Sequence, residues 1–120
     1  MGKRIVRRGS IVLVRYPFSD LSSIKARPAL IITPDDLLSQ IDDALCLFIS
    51  SQIPTPLLAS DLMINKSDSS FRKTGLKFNS VFRTHKLALL YKPLVLRALG
   101  EADQRLMELV NQKLRIALGI

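Results

Sequence analysis

Hydrophobic and polar positions change rhythm several times along this chain of 120 residues, and each rhythm predicts an element. From 10 to 18, "SIVLVRYPF" is enriched in β-branched residues (Ile11, Val12, Val14) and then meets Pro17, which reads as a first strand stopped by a turn. A polar loop over 18–27 follows, and "ALIIT" (29–33) is short and apolar enough to be a central strand. "TPDDLLSQIDDA" predicts a helical turn, with Thr33 as cap, Pro34 at the first position, and Asp35 and Asp36 at the positive end of the dipole. "ALCLFIS" (44–50) is a third strand, followed by a loop holding Pro54 and Pro56. "ASDLMIN" (59–65) is a fourth, "NKSDSSFRKTG" (65–75) a polar loop, and "LKFNSVFRTHKLALLY" (76–91) one or two more strands.

The period shifts at the end. In "EADQRLMELVNQKLRIALGI" the apolar Leu106, Leu109, Val110, Leu114 and Ala117 recur at threes and fours, the spacing of one helix face. Glu101 and Asp103 open this segment, Lys113 and Arg115 close it, and Gly119 sits where a helix stops. No internal repeat, low-complexity tract or linker interrupts the pattern. The expected architecture is mainly β (α+β), a single domain over 1–120. It is a small, strongly bent β-barrel or twisted antiparallel sheet carrying one long C-terminal helix.

Composition narrows the class. Hydrophobic residues make up 48% of the chain, enough for a packed core rather than a disordered tail. The longest apolar run, Ala44 to Ile49, is strand-sized and far short of the ~20 residues of a membrane span. The basic start "MGKRIVRRGS" has no apolar signal region behind it, so secretion is not expected, and neither is a membrane partner. The lone Cys46 sits in an apolar run and reads as a reduced, buried thiol of a cytoplasmic protein. Charge says more. Eighteen Lys and Arg against ten Asp and Glu give a net charge of +8, which suits a polyanionic partner, nucleic acid first and an acidic protein second. A basic surface with no dedicated partner is the other reading. Aromatics at 6% and the absence of Trp argue against a base-stacking platform.

Most catalytic patterns are missing. The five glycines form no phosphate-binding loop, one His and one Cys make no zinc site, and nothing resembles a nucleophile elbow. Catalysis by this chain is therefore expected to use neither metal nor cofactor. What remains is three polar groups bordering strands. Pro28 holds Arg27 in an extended conformation and so sets the direction in which a long cation leaves the backbone. Ser50-Ser51-Gln52 ends the third strand. Arg83-Thr84-His85-Lys86 lies where, on strict alternation, Arg83 and His85 share one face and Thr84 and Lys86 the other. Arginines can neutralise a phosphorane as its charge builds, and an imidazole can move the proton. Each group also has a structural reading: Arg27 pairing with Asp20, serines at an ordinary strand end, a surface histidine, and solvated charge in "RKTGLK" and "KRIVRR".

The order of these pieces carries a resemblance. "RRGSIVLVRYPFSD", "RPALIIT", "LCLFISSQI", "TGLKFNSVFRTHKLALL" and a closing helix ending near "LGI" resemble the MazF/PemK toxins of bacterial toxin–antitoxin pairs, over roughly 7–119. The resemblance implies an SH3-like barrel shared with the CcdB toxins, working as a homodimer. It implies a metal-independent endoribonuclease whose substrate is single-stranded RNA, cut by 2′-hydroxyl attack to leave a 2′,3′-cyclic phosphate and a 5′-hydroxyl. An acidic antitoxin would neutralise it. Arg27 matches the family's catalytic arginine, Ser50 the hydroxyl residue closing the third strand, and Arg83 and His85 an Arg-x-Asp pair of some members. Arg27 then stabilises charge and His85 is the candidate general base or acid. RNA contacts are expected from Arg15, Lys25, Ser51 and Gln52, and further from Lys73, Lys77 and Lys86, with loops 18–26 and 52–60 meeting the bases. The chain departs from the pattern at Ser10, Ser50 and His85 and in the first loop, "SDLSSIKARP". A non-catalytic module on the same fold, a gyrase poison or a binder of nucleic acid or antitoxin, is the alternative.

Overall fold

The computed structural model describes residues 6–17 and 24–120. Six strands, β1 (Ser10–Pro17), β2 (Ile24–Ile31), β3 (Asp43–Ser50), β4 (Asp61–Ile64), β5 (Ser80–Tyr91) and β6 (Val95–Glu101), form one antiparallel sheet in the order β4-β5-β3-β2-β1-β6. Two single turns, α1 (Asp35–Leu38) and α2 (Phe71–Thr74), and the long α3 (Gln104–Leu118) complete the fold. Among the described residues no ladder joins β4 to β6, so the sheet is open rather than a closed barrel.

Alternation sorts the core into two layers. Ile11, Leu30, Leu47, Ile49 and Phe82 face α3, which meets them with Leu106, Val110 and Leu114. Val12, Val14, Ala29, Ile31, Cys46 and Phe48 point the other way, against Leu38, Leu90 and Val95. Because both faces are covered, the central strands read as continuous apolar runs. Helix α3 begins where Asp103 Oδ1 accepts the Leu106 N–H at 2.9 Å and ends at Gly119, whose φ of 72° closes the last turn.

Several elements differ from the sequence pattern, each for a local reason. Strand β2 begins at Ile24, well before the apolar run, because its polar half pairs with β1, with Pro28 opposite Leu13. Proline is tolerated there since β3 pairs with β2 only from Ala29 onward. Thr33 does not cap α1; its hydroxyl accepts the Leu45 N–H at 2.7 Å, and Pro34 occupies the cap position. The loop 65–75 contains α2, and "VLRALGE" is a strand, β6, whose alternation is broken by two register shifts against β1. Segment 76–91 supplies one strand, β5, and that strand is interrupted. Leu47 pairs with Leu87 but the next residue, Phe48, pairs with Arg83, so Thr84-His85-Lys86 leave the ladder as a three-residue bulge.

Candidate functional site

A groove opens where β2 and β3 part. Their ladder runs only from Ile31↔Cys46 to Ala29↔Phe48. Carried two places further, the same register puts Arg27 opposite Ser50, but no ladder forms there. The space left measures about 540 Å³, lined by Arg27, Phe48, Ile49, Ser50, Gln52, Ile53, Pro54, Arg83 and Lys86.

Each polar side chain is set by its strand. Arg27 stands on β2 beside Pro28, half-buried, with its Nε out of solvent. Ser50 Oγ accepts the Gln52 N–H at 3.0 Å and donates to the Gln52 carbonyl at 3.3 Å, a local turn that swings the chain after β3 into the groove wall. Arg83 sits between Phe48 of β3 and Asp61 of β4 in the cross-strand row. Its Nε donates to Asp61 Oδ1 at 2.8 Å, and Asp61 Oδ2 accepts the Leu58 N–H at 2.8 Å. The Asp61 side chain is fully buried and Arg83 is 17% exposed, so the guanidinium is held from inside the protein while it lines the groove.

Three of the four residues expected to do chemistry, Arg27, Ser50 and Arg83, therefore share one groove. His85 does not line it. Thr84 is buried, donating to the Ser60 carbonyl at 2.7 Å and the Lys113 carbonyl at 3.3 Å, while His85 is exposed and Lys86 joins Arg83 at the groove. Of the residues expected to contact RNA, Gln52 and Lys86 line the groove and Ser51 adjoins it. Arg15 and Lys25 are exposed on the β1–β2 hairpin, and Lys73 and Lys77 lie on α2 and just after it, none of them lining the groove. Residues 18–23, with Asp20 and most of the first loop, lie outside the described residues.

The sequence reading missed Asp61, Phe48, Ile53 and Pro54. Only Asp61 carried a signal, an acid at the head of an otherwise apolar strand. Among the described residues that line the groove there are three cations and no carboxylate, so an anion is favoured there. No group of three or more His, Cys, Asp or Glu among the described residues could hold a metal ion. Cys46 lies in the core layer that includes Phe48, and burial pushes its thiol up to about 11.

The open six-stranded sheet with a C-terminal helix is the fold of the MazF toxins. An endoribonuclease solved with its cognate antitoxin from a mycobacterial species superposes with a TM-score of 0.77 at 19% identity, covering 97% of each chain. MazF from Deinococcus radiodurans gives 0.75 at 17% identity, over 98% of this chain and 100% of that one. A MazE–MazF complex from the same organism gives 0.72 at 16% identity, over 98% and 99%. No curated protein matches in sequence. The family model for the PemK-like, MazF-like toxin of type II toxin–antitoxin systems matches residues 7–118, and this chain belongs to that family. Among its described residues no helix is long and apolar enough to cross a membrane.

Proposed function

We propose that this toxin is an endoribonuclease of the mRNA-interferase type, cutting single-stranded RNA in the cytoplasm without a metal or cofactor. The observation that carries the reading is the convergence of Arg27, Ser50 and Arg83, from three different strands, on one groove. In the reaction the 2′-oxygen bonds to the adjacent phosphorus and the bond to the 5′-oxygen breaks. The products are a 2′,3′-cyclic phosphate and a 5′-hydroxyl. The nucleophile is part of the substrate, so the protein's task is to stabilise the phosphorane. Arg27 and Arg83 donate to its non-bridging oxygens as charge builds. A guanidinium keeps its protons and cannot serve as the base. Ser50 offers a hydroxyl fixed by the Gln52 turn, and Lys86 holds a flanking phosphate. With His85 exposed and not lining the groove, the 2′-proton passes to solvent, and water returns a proton to the departing 5′-oxygen.

The same cationic groove suits an acidic antitoxin segment, and solved relatives include complexes with MazE. A homodimer is supported by apolar surface on β3 and β5, where the cross-strand pair Leu45 and Leu89 is exposed. One observation favours a second reading, a non-catalytic binder: no imidazole or carboxylate lines the groove among the described residues.

The deciding experiment incubates the purified protein with mixed RNA in excess chelator and reads fragment ends by mass spectrometry. Cyclic-phosphate and 5′-hydroxyl ends are expected. They should disappear in Arg27→Ala and persist in His85→Ala. Intact RNA beside folded, antitoxin-free protein sinks the ribonuclease reading and leaves the binder.

A further inference from the structure

A carboxylate with no exposed surface stands directly behind the groove. Asp61 opens β4, and a buried charge of this kind persists only when its oxygens are bonded. Here both are: Oδ2 takes the Leu58 N–H and Oδ1 takes Arg83 Nε, each at 2.8 Å. The nitrogen chosen matters. A guanidinium gripped at Nε keeps its end-on edge, formed by the two Nη groups, for a second partner, and Arg83 lines the groove. On the opposite side its cross-strand neighbour is Phe48, an apolar residue that can shape the space but cannot orient a cation by hydrogen bonding. Two residues along the strand, in the bulge, stands His85, exposed and with no negative charge to offer. The acid that meets Arg83 comes instead across the ladder, through the pairing Asp61↔Arg83.

We propose that Asp61 is a positioning residue, which aims the Arg83 guanidinium at a phosphodiester of single-stranded RNA in the groove. This rests on the reading of the groove as an RNA site. Asp61 touches no substrate; it acts through Arg83 alone. Lysine at position 83 would not substitute, having no Nε to grip and no fork to present.

The test compares wild type, Asp61→Asn, Arg83→Ala and the double variant, each checked for a cooperative melt. Asn keeps the size of the side chain and an oxygen for Leu58 while removing the charge facing Arg83. Cleavage of RNA should lose about 100-fold in kcat in each single variant, as expected for a misplaced charge-stabilising group, with KM raised by no more than the loss of one phosphate contact. The double variant should be no slower than Arg83→Ala, since Asp61 has nothing else to act through. Wild-type kcat in Asp61→Asn, or losses that multiply in the double variant, overturns the proposal. If the wild type cuts no RNA, the ribonuclease reading fails by itself. Affinity for a random pool of 2′-O-methyl oligonucleotides, which cannot be cut, then decides the role of Asp61. Equal, non-additive weakening supports it and unchanged affinity in Asp61→Asn rejects it. Should Asp61→Asn not fold, nitrogen-detected NMR of the wild type takes over. The Arg83 side-chain nitrogens must shift when the oligonucleotide pool is added, and no shift rejects the proposal.

Discussion

Asp103 shows how much one side chain can fasten. Its Oδ1 accepts the Leu106 N–H and the Ser70 hydroxyl, both at 2.9 Å, so it caps α3 and ties the helix to the segment leading into α2. The Leu106 amide is the main cause that holds its carboxyl below the ordinary value of 3.8; the Ser70 bond and the Lys73 and Arg105 charges add to it, while burial opposes. A carboxyl depressed in the folded state contributes stability above its unfolded value and loses it as pH falls through the folded one. Asp103→Ala should therefore cost about 1 kcal/mol at neutral pH. The gap between variant and wild-type melting temperatures should close as the solution is acidified below the carboxylate range; a gap independent of pH would contradict the assignment. This cap was legible in the sequence, because an acid three residues before a helix-periodic run is a local signal. The identity of the carboxylate beside Arg83 was not, because Asp61 is remote in sequence and meets Arg83 only through strand pairing.

Among the elements, α2 and β6 were illegible for a shared reason. α2 is a single turn, β6 loses its alternation to two register shifts against β1, and the two elements pack closely on each other. Gly75, with φ of 73°, ends α2 against the backbone of Leu99, and Gly100 of β6 lies against the backbone of Lys73 and Thr74. A Cβ at Gly100 would collide with those main-chain atoms, which cannot swing aside as a flexible side chain would. Gly100→Ala should cost about 2 kcal/mol or more by overpacking, measured by chemical denaturation with an unchanged m-value. A neutral result would mean that α2 and β6 separate without penalty. The bulge of β5 belongs at this scale too. It is held by the Thr84 hydroxyl reaching the Ser60 and Lys113 carbonyls, partners on a distant loop and on α3. Alternation along 83–86 carried no trace of it, and so gave no reason to set Lys86 beside Arg83 at the groove.

For the whole molecule, the surplus of +8 becomes functional only where the fold concentrates it. Three of the cations, Arg27, Arg83 and Lys86, line the groove. If each neutralises one phosphate of a single strand, the logarithm of oligonucleotide affinity should fall against the logarithm of salt with a slope of about −2. Arg83→Ala should flatten that slope by about 0.7, whereas substituting the exposed Lys77 should leave it nearly unchanged. Equal effects at both positions would place the RNA on a diffuse basic surface instead of the groove.

The sequence alone determined the class of fold, the capped helix α3, the strands β1 and β3, and the family resemblance, with Arg27 and Ser50 as its local marks. These depend on periodicity, capping and nearest-neighbour rules that act over a few residues. Which polar residues meet was settled by contacts between distant segments. The early end of the β2–β3 ladder opens the groove, Lys86 of the bulge lines it while His85 does not, and the β4–β5 register delivers Asp61 to Arg83. Those choices rest on where ladders start, slip and stop, which is settled by packing between segments distant in the chain rather than by any one segment's own pattern.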